Sequence, residues 1–142
     1  MDSSPAYIAS DILEQFLDLS LPVNPIVIAQ KMGIGVYYSE NKASEYYNTK
    51  TKEIFVQEYE SSAKQRFAIA SKLGYAVFLQ DPYKRFLRTR ESLQQFVNTL
   101  LMPSLALRTM VEQRNMQFSE LCSTFDVSEE AMADRLFELK II

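Results

Sequence analysis

The chain has 142 residues, 47% of them apolar and 23% charged, the size and composition of one folded globular domain. It contains no histidine and a single cysteine, Cys122. Imidazole bases, histidine-ligated metals, an intramolecular disulfide and a cysteine zinc site are therefore excluded. The net charge of −3 is uneven: −5 over residues 1–63, +6 over 64–90 and −4 over 112–140. A basic block inside an acidic chain suits either a solvated helix face or an anionic partner.

Residues 6–19 space Ile8, Ile12, Leu13, Phe16 and Leu19 along one helix face, and Leu21-Pro22 ends the pattern. Asn24 followed by Pro25 predicts a capped helix over 26–32 that stops at Gly33 in the left-handed conformation. Residues 34–38 read as a strand. Residues 45–57 read as a hairpin with its turn at Asn48–Lys52 and its second strand at Ile54–Gln57. Tyr37, Tyr38, Tyr46 and Tyr47 lie in these strands and are expected to pack.

Ser61 or Ser62 caps a helix reaching about Leu79 that is apolar on two faces, the pattern of a central, buried helix. Asp81-Pro82 opens a basic loop. A second long helix runs from about Thr89 to Met102, and shorter helices follow over 104–113, 117–125 and 128–139. The predicted class is α+β in one domain, 1–142: a small sheet on a mainly helical body, with a C-terminal helical subregion from about 104. No apolar run approaches 18 residues and no basic-then-apolar leader opens the chain, so a membrane span and a signal peptide are not expected and the protein is expected in the cytoplasm.

Chemistry concentrates on the central helix. Ser71 and Tyr75 are four apart and share a face, while Lys72 has Ala68, Ile69, Tyr75 and Ala76 as helical neighbours. A lysine so placed must snorkel, pair with an acid or face a cleft. A Ser71–Lys72 catalytic dyad is disfavoured, because adjacent helical residues diverge by about 100°. Cys122 sits at an apolar helical position and is expected in the core. The segment FSELCSTFDVSEEAMADRLFEL has the shape of a helix-turn-helix. Its second helix carries Glu129, Glu130, Asp134 and Glu138, which would repel a phosphate backbone, so nucleic acid is not the expected partner.

The stretch QRFAIASKLGYAVF resembles the metal-binding helix of the ImmA/IrrE family of zinc metallopeptidases, which typically reads RFTLAHELGHYLL. In that motif two histidines four apart bind zinc and the glutamate between activates a zinc-bound water. LPVNPIVIAQKMGIGVYY resembles the family's opening helix and strand, and EIFVQ stands where its next strand does. FVNTLLMPSLAL resembles its FAAELLMP helix, and LCSTFDVSEEAMADRLFEL its closing segment. Together these span residues 22–139 in the family's order and imply its zincin-like fold, closing in the helix-turn-helix-like segment.

The departure falls on the chemistry. The two histidine positions are Ser71 and Tyr75, and the glutamate position is Lys72. The third ligand of the family precedes the phenylalanine equivalent to Phe96 by up to two turns, where the one acid is Glu91. The resemblance thus implies the scaffold without metal, cofactor or peptidase activity. Family members act on repressors of phages and mobile elements, so the implied role is an antirepressor-like regulator that binds a protein partner, a transcriptional repressor. The residues expected to meet it are Ile54, Phe55, Val56 and Gln57, on an edge strand open to strand addition, with Lys72, Tyr75 and Glu91. Lys72 is expected to move into the lost metal's place and pair with Glu91, with Tyr75 filling the remaining imidazole volume. The alternatives are nucleic-acid binding through the 64–90 block and a residual or altered hydrolase. The partner's identity and the oligomeric state are not fixed by the sequence.

Overall fold

A computed structural model describes residues 4–16, 21–39, 45–58 and 61–141. Helix α1 (Pro5–Gln15) starts where the Ser4 hydroxyl accepts the Tyr7 N–H at 3.2 Å. The expected continuation to Leu19 lies outside the described residues. Asn24 Oδ1 accepts the N–H groups of Ile26 and Val27, and α2 (Pro25–Lys31) follows with proline at its first position. Gly33 then turns at φ +80°, its N–H bonding to the Gln30 carbonyl and that of Ile34 to Ala29. This paired closure needs the left-handed residue that glycine supplies.

Three strands form one mixed sheet in the order β1–β3–β2. The hairpin of β2 (Tyr46–Asn48) and β3 (Glu53–Gln57) is antiparallel, with Tyr46 opposite Phe55. Strand β1 (Gly35–Ser39) joins the other side of β3 in parallel, Gly35 opposite Glu53 and Ser39 opposite Gln57. The segment Ile54–Gln57 is therefore the central strand and not an edge, and Ile54 and Val56 are wholly buried. The expectation of an edge open to strand addition is corrected here, because β1 pairs along the whole segment and β2 pairs with Ile54 and Phe55 on its other side. Of the four tyrosines expected to pack, Tyr47 packs against the core. Tyr37, Tyr38 and Tyr46 are about half exposed, and Tyr37 and Tyr46 stack on the two sides of Phe55 across the sheet's outer face.

Helix α3 (Ser62–Phe78) starts at Ser61, whose hydroxyl accepts the Lys64 N–H. It runs through the core, burying Ala68, Ile69, Ala70, Leu73 and Ala76 to Phe78. Gly74 lets α4 (Arg90–Leu101) approach: a Cβ here would come within 2.7 Å of Phe96 and 2.8 Å of Leu93. The basic segment expected as loop is a 3-10 helix over Tyr83–Arg88, with Phe86 packed on Phe78. Helices α5 (Ser104–Glu112), α6 (Phe118–Phe125) and α7 (Glu129–Glu138) complete an α+β fold. No helix among the described residues is long and apolar enough to cross a membrane.

Two arginines tie the C-terminal helices to the body. Asp126 closes α6 in the left-handed conformation, φ +50°, and its carboxylate receives both the Ser62 hydroxyl and, at 3.5 Å, Arg66. Arg135 of α7 is 2% exposed. Its Nε donates to the Met102 carbonyl at 2.9 Å and its Nη1 to Glu138 at 2.6 Å. The α6 thiol Cys122 packs at the edge of the core. Burial first, and then Glu129, push its pKa up. Folding thus favours the thiol over the thiolate. That contribution to stability is complete below the unfolded thiol's pKa and is lost as pH rises through the folded one. Alkylation of the native protein by iodoacetamide is expected to be slower than in urea, with its pH–rate midpoint displaced upward. Equal rates in the two states would contradict this burial.

Candidate functional site

The α3–α4 crossing decides where each candidate residue points. Gly74 faces α4. Lys72, two residues back, is rotated by about 200° and points away from α4. It is half-buried, and no described residue forms an ion pair with it. Glu91 sits in the first turn of α4, where its charge suits the helix N-terminus, and is exposed. The expected Lys72–Glu91 pair is therefore not formed, and the correction follows from helical rotation alone. Lys72→Met and Glu91→Gln are accordingly expected to add within about 0.5 kcal/mol in a denaturation cycle. A coupling of about 1 kcal/mol would contradict this placement.

Tyr75 is 40% exposed, and its ring meets Tyr47 of β2 edge-on at 6.5 Å between centroids. Burial raises the Tyr47 pKa, keeping that phenol neutral. Ser71 is half-buried one turn before Tyr75. Of the three residues that the sequence places together on α3, Tyr75 meets β2 through Tyr47.

A hollow of about 680 Å³ opens beside the N-terminal half of α3. Lys64, Phe67 and Ala68 of α3 line it, with Gln94, Asn98 and Leu101 of α4. Glu45, ahead of β2, and Val56 and Gln57 of β3 form one wall; the α6–α7 turn and α7 form the other. Asn98, Gln94 and Asp134 continue into a second hollow of about 530 Å³ with Glu91, Phe137 and Glu138. Of the residues expected to meet a partner, Gln57 and Val56 reach the first hollow and Glu91 the second. Ser71, Lys72 and Tyr75 lie further along α3. Asn98 was not singled out from the sequence, although a carboxamide within the apolar run FVNTLLM was its visible signal.

The basic block does not act as one surface. Arg66 is turned inward to Asp126 and the Phe125 carbonyl, and burial lowers its pKa while Asp126 raises it. Lys84 pairs with Asp81 at 3.7 Å, and Arg85 bonds the Pro82 carbonyl and lies 4.4 Å over the Phe86 ring. On α7 the single arginine, Arg135, is buried, while Glu129, Glu130, Asp134 and Glu138 are exposed.

A central helix under a three-stranded mixed sheet, crossed by a second helix and closed by a capped helix pair, is a metallopeptidase-type α+β scaffold. The chain belongs to the IrrE N-terminal-like domain family, whose model matches residues 29–137. Among solved structures, a Mycobacterium tuberculosis transcriptional regulator superposes with a TM-score of 0.73 at 20% identity. The match covers 93% of this chain and 46% of that one, so this chain spans about half the regulator's length. No curated protein matches.

The zinc implied by the family's fold does not suit the donors present. At the helix positions to which the resemblance assigns two imidazoles and a carboxylate, this chain offers the Ser71 hydroxyl, the Tyr75 phenol and the Lys72 ammonium. Zinc takes nitrogen, thiolate or carboxylate ligands, and a neighbouring ammonium opposes a dication. Among the described residues no group of three or more histidine, cysteine, aspartate or glutamate side chains is placed to hold a metal.

Proposed function

We propose that the chain is a catalytically silent metallopeptidase-like regulator that binds a protein partner without cutting it. The proposed partner is a helix-turn-helix repressor of the phage or mobile element that carries the gene, so that the protein acts as a cytoplasmic antirepressor. What supports this reading is that the chain belongs to the family while α3, the helix that resembles the family's metal-binding one, carries Ser71, Lys72 and Tyr75 where the resemblance sets ligands and base. A scaffold that has lost its reactive groups retains recognition.

The surface for recognition surrounds α3. Phe55 and Gln57 on the sheet, Tyr75 and Lys72 on α3, and Glu91 on α4 are the contact residues of this reading, and none of the five is fully buried. Ile54 and Val56 support the sheet from inside. Strand addition moves to β2, which borders Tyr75 through Tyr47 and whose outer edge pairs with no strand among the described residues. Nucleic-acid binding is the weaker alternative, since Arg66 is committed to the fold and α7 presents acids. A residual hydrolase has neither an imidazole nor a carboxylate at the helix positions that would carry the chemistry.

The test is co-expression with candidate helix-turn-helix repressors from the source genome, reading a reporter from each operator and each repressor's intact mass. Derepression with the repressor at full mass is the expected result. Cleaved repressor, or an unchanged reporter, would overturn the reading.

A further inference from the structure

The two hollows beside α4 and α7 share Gln94, Asn98 and Asp134 and so adjoin as two sections of one groove, with the Gln94–Asp134 hydrogen bond at their boundary. Its charge is one-sided. Glu45, Glu130 and Asp134 face the first hollow against Lys64 alone, and Glu91 and Glu138 join at the second. Glu138 is held by Arg135, and Asp134 accepts a 3.3 Å hydrogen bond from Gln94, which leaves Asp134 its charge. Between the acids the lining is apolar: Phe67, 41% exposed, with Ala68, Leu101, Val127 and Ala131.

Asn98 lies at the join. It is 2% exposed, and among the described residues its carboxamide has no hydrogen-bond partner. Its side chain borders both hollows, so a polar group entering there can reach the carboxamide. A carboxamide carries a donor and an acceptor in one plane. That pair matches the C=O and N–H of an extended peptide unit; a helix has already used its own.

We infer that this groove binds an extended polypeptide segment in which an apolar side chain is flanked by lysine or arginine. The apolar residue sits against Phe67, Leu101 and Ala131. The cation meets Glu130 and Asp134, and Asn98 holds the peptide backbone between them. The inference rests on the reading of the chain as a partner-binding protein, and it specifies which segment of a partner is recognised.

The experiment is selection from a random, phage-displayed decapeptide library on the immobilised full chain, followed by fluorescence anisotropy with the enriched peptides. Enrichment of lysine or arginine beside leucine, isoleucine or phenylalanine is expected, with affinity falling as salt rises. Because Glu130 and Asp134 are exposed, the double variant Glu130→Gln, Asp134→Asn should fold normally and weaken binding about tenfold, by loss of two charge contacts. Asn98→Leu should weaken it by a similar factor without changing the salt dependence; if that variant fails to fold, the surface pair decides alone. No enrichment, enrichment of acidic or uncharged motifs, or binding unchanged in the double variant overturns the inference. Derepression that persists undiminished in the double variant overturns the groove while leaving the antirepressor reading intact. Peptide selection with no effect on the repressor does the reverse.

Discussion

Val56→Pro is expected to abolish cooperative folding. Val56 lies in the central strand, buried, opposite Tyr38 of parallel β1 and one residue past Phe55, where the antiparallel pairing with β2 ends. Proline removes an N–H from this paired backbone and fixes φ away from the strand value. The backbone change alone costs about 3 kcal/mol or more. Loss of the sheet also uncovers the face of α3 packed beneath β3, against a total stability of about 5–15 kcal/mol for a domain. Circular dichroism during thermal melting should show no cooperative transition. Tyr46→Pro, at the first residue of edge strand β2, is the control and should retain one. A folded Val56→Pro variant would contradict the central position of β3.

Arg135→Ala is expected to destabilise the fold by about 3 kcal/mol, the lower end of the cost of breaking a buried ion pair. The guanidinium is buried where α7 meets the end of α4, bonded to the Met102 carbonyl and Glu138. Removing it strands a carbonyl and a carboxylate and leaves a void. Glu138 keeps partial access to water, which limits the loss. For a chain of this length the melting temperature should fall by about 10 °C. Arg135→Met refills the void but not the hydrogen bonds and should recover part of the loss. A shift of only 1–2 °C for Arg135→Ala would show that α7 is held by its apolar contacts alone.

The elements legible in the sequence are those written in local chemistry. The caps at Asn24, Ser61 and Ser128, the left-handed Gly33 and the hairpin turn all fall where their residue types predict. Each depends on residues within one turn of one another. The order of the sheet depends on which strand β1 reaches across the chain, and no local signal contains that; Ile54–Gln57 was therefore placed at an edge when it is central. Arg66 reads in sequence as part of the basic block, and only the fold sets it beside Asp126, just as only the fold buries Arg135 beside Glu138. Lys72 was legible as an anomaly, but its direction follows from Gly74 facing α4. Ser71, Lys72 and Tyr75 at helical spacing were legible too, because residue identity along a helix is sequence information. The groove was not, since α3, α4, α7 and the hairpin meet there from four separate parts of the chain.

The central claim is that this family member works without a metal. It is tested most directly by incubating the purified full chain with one equivalent of zinc, dialysing, and measuring retained zinc by elemental analysis, with the melting temperature followed with and without chelator. The account predicts well under one equivalent retained and no shift on chelation. Stoichiometric zinc that survives dialysis and raises the melting temperature would contradict it.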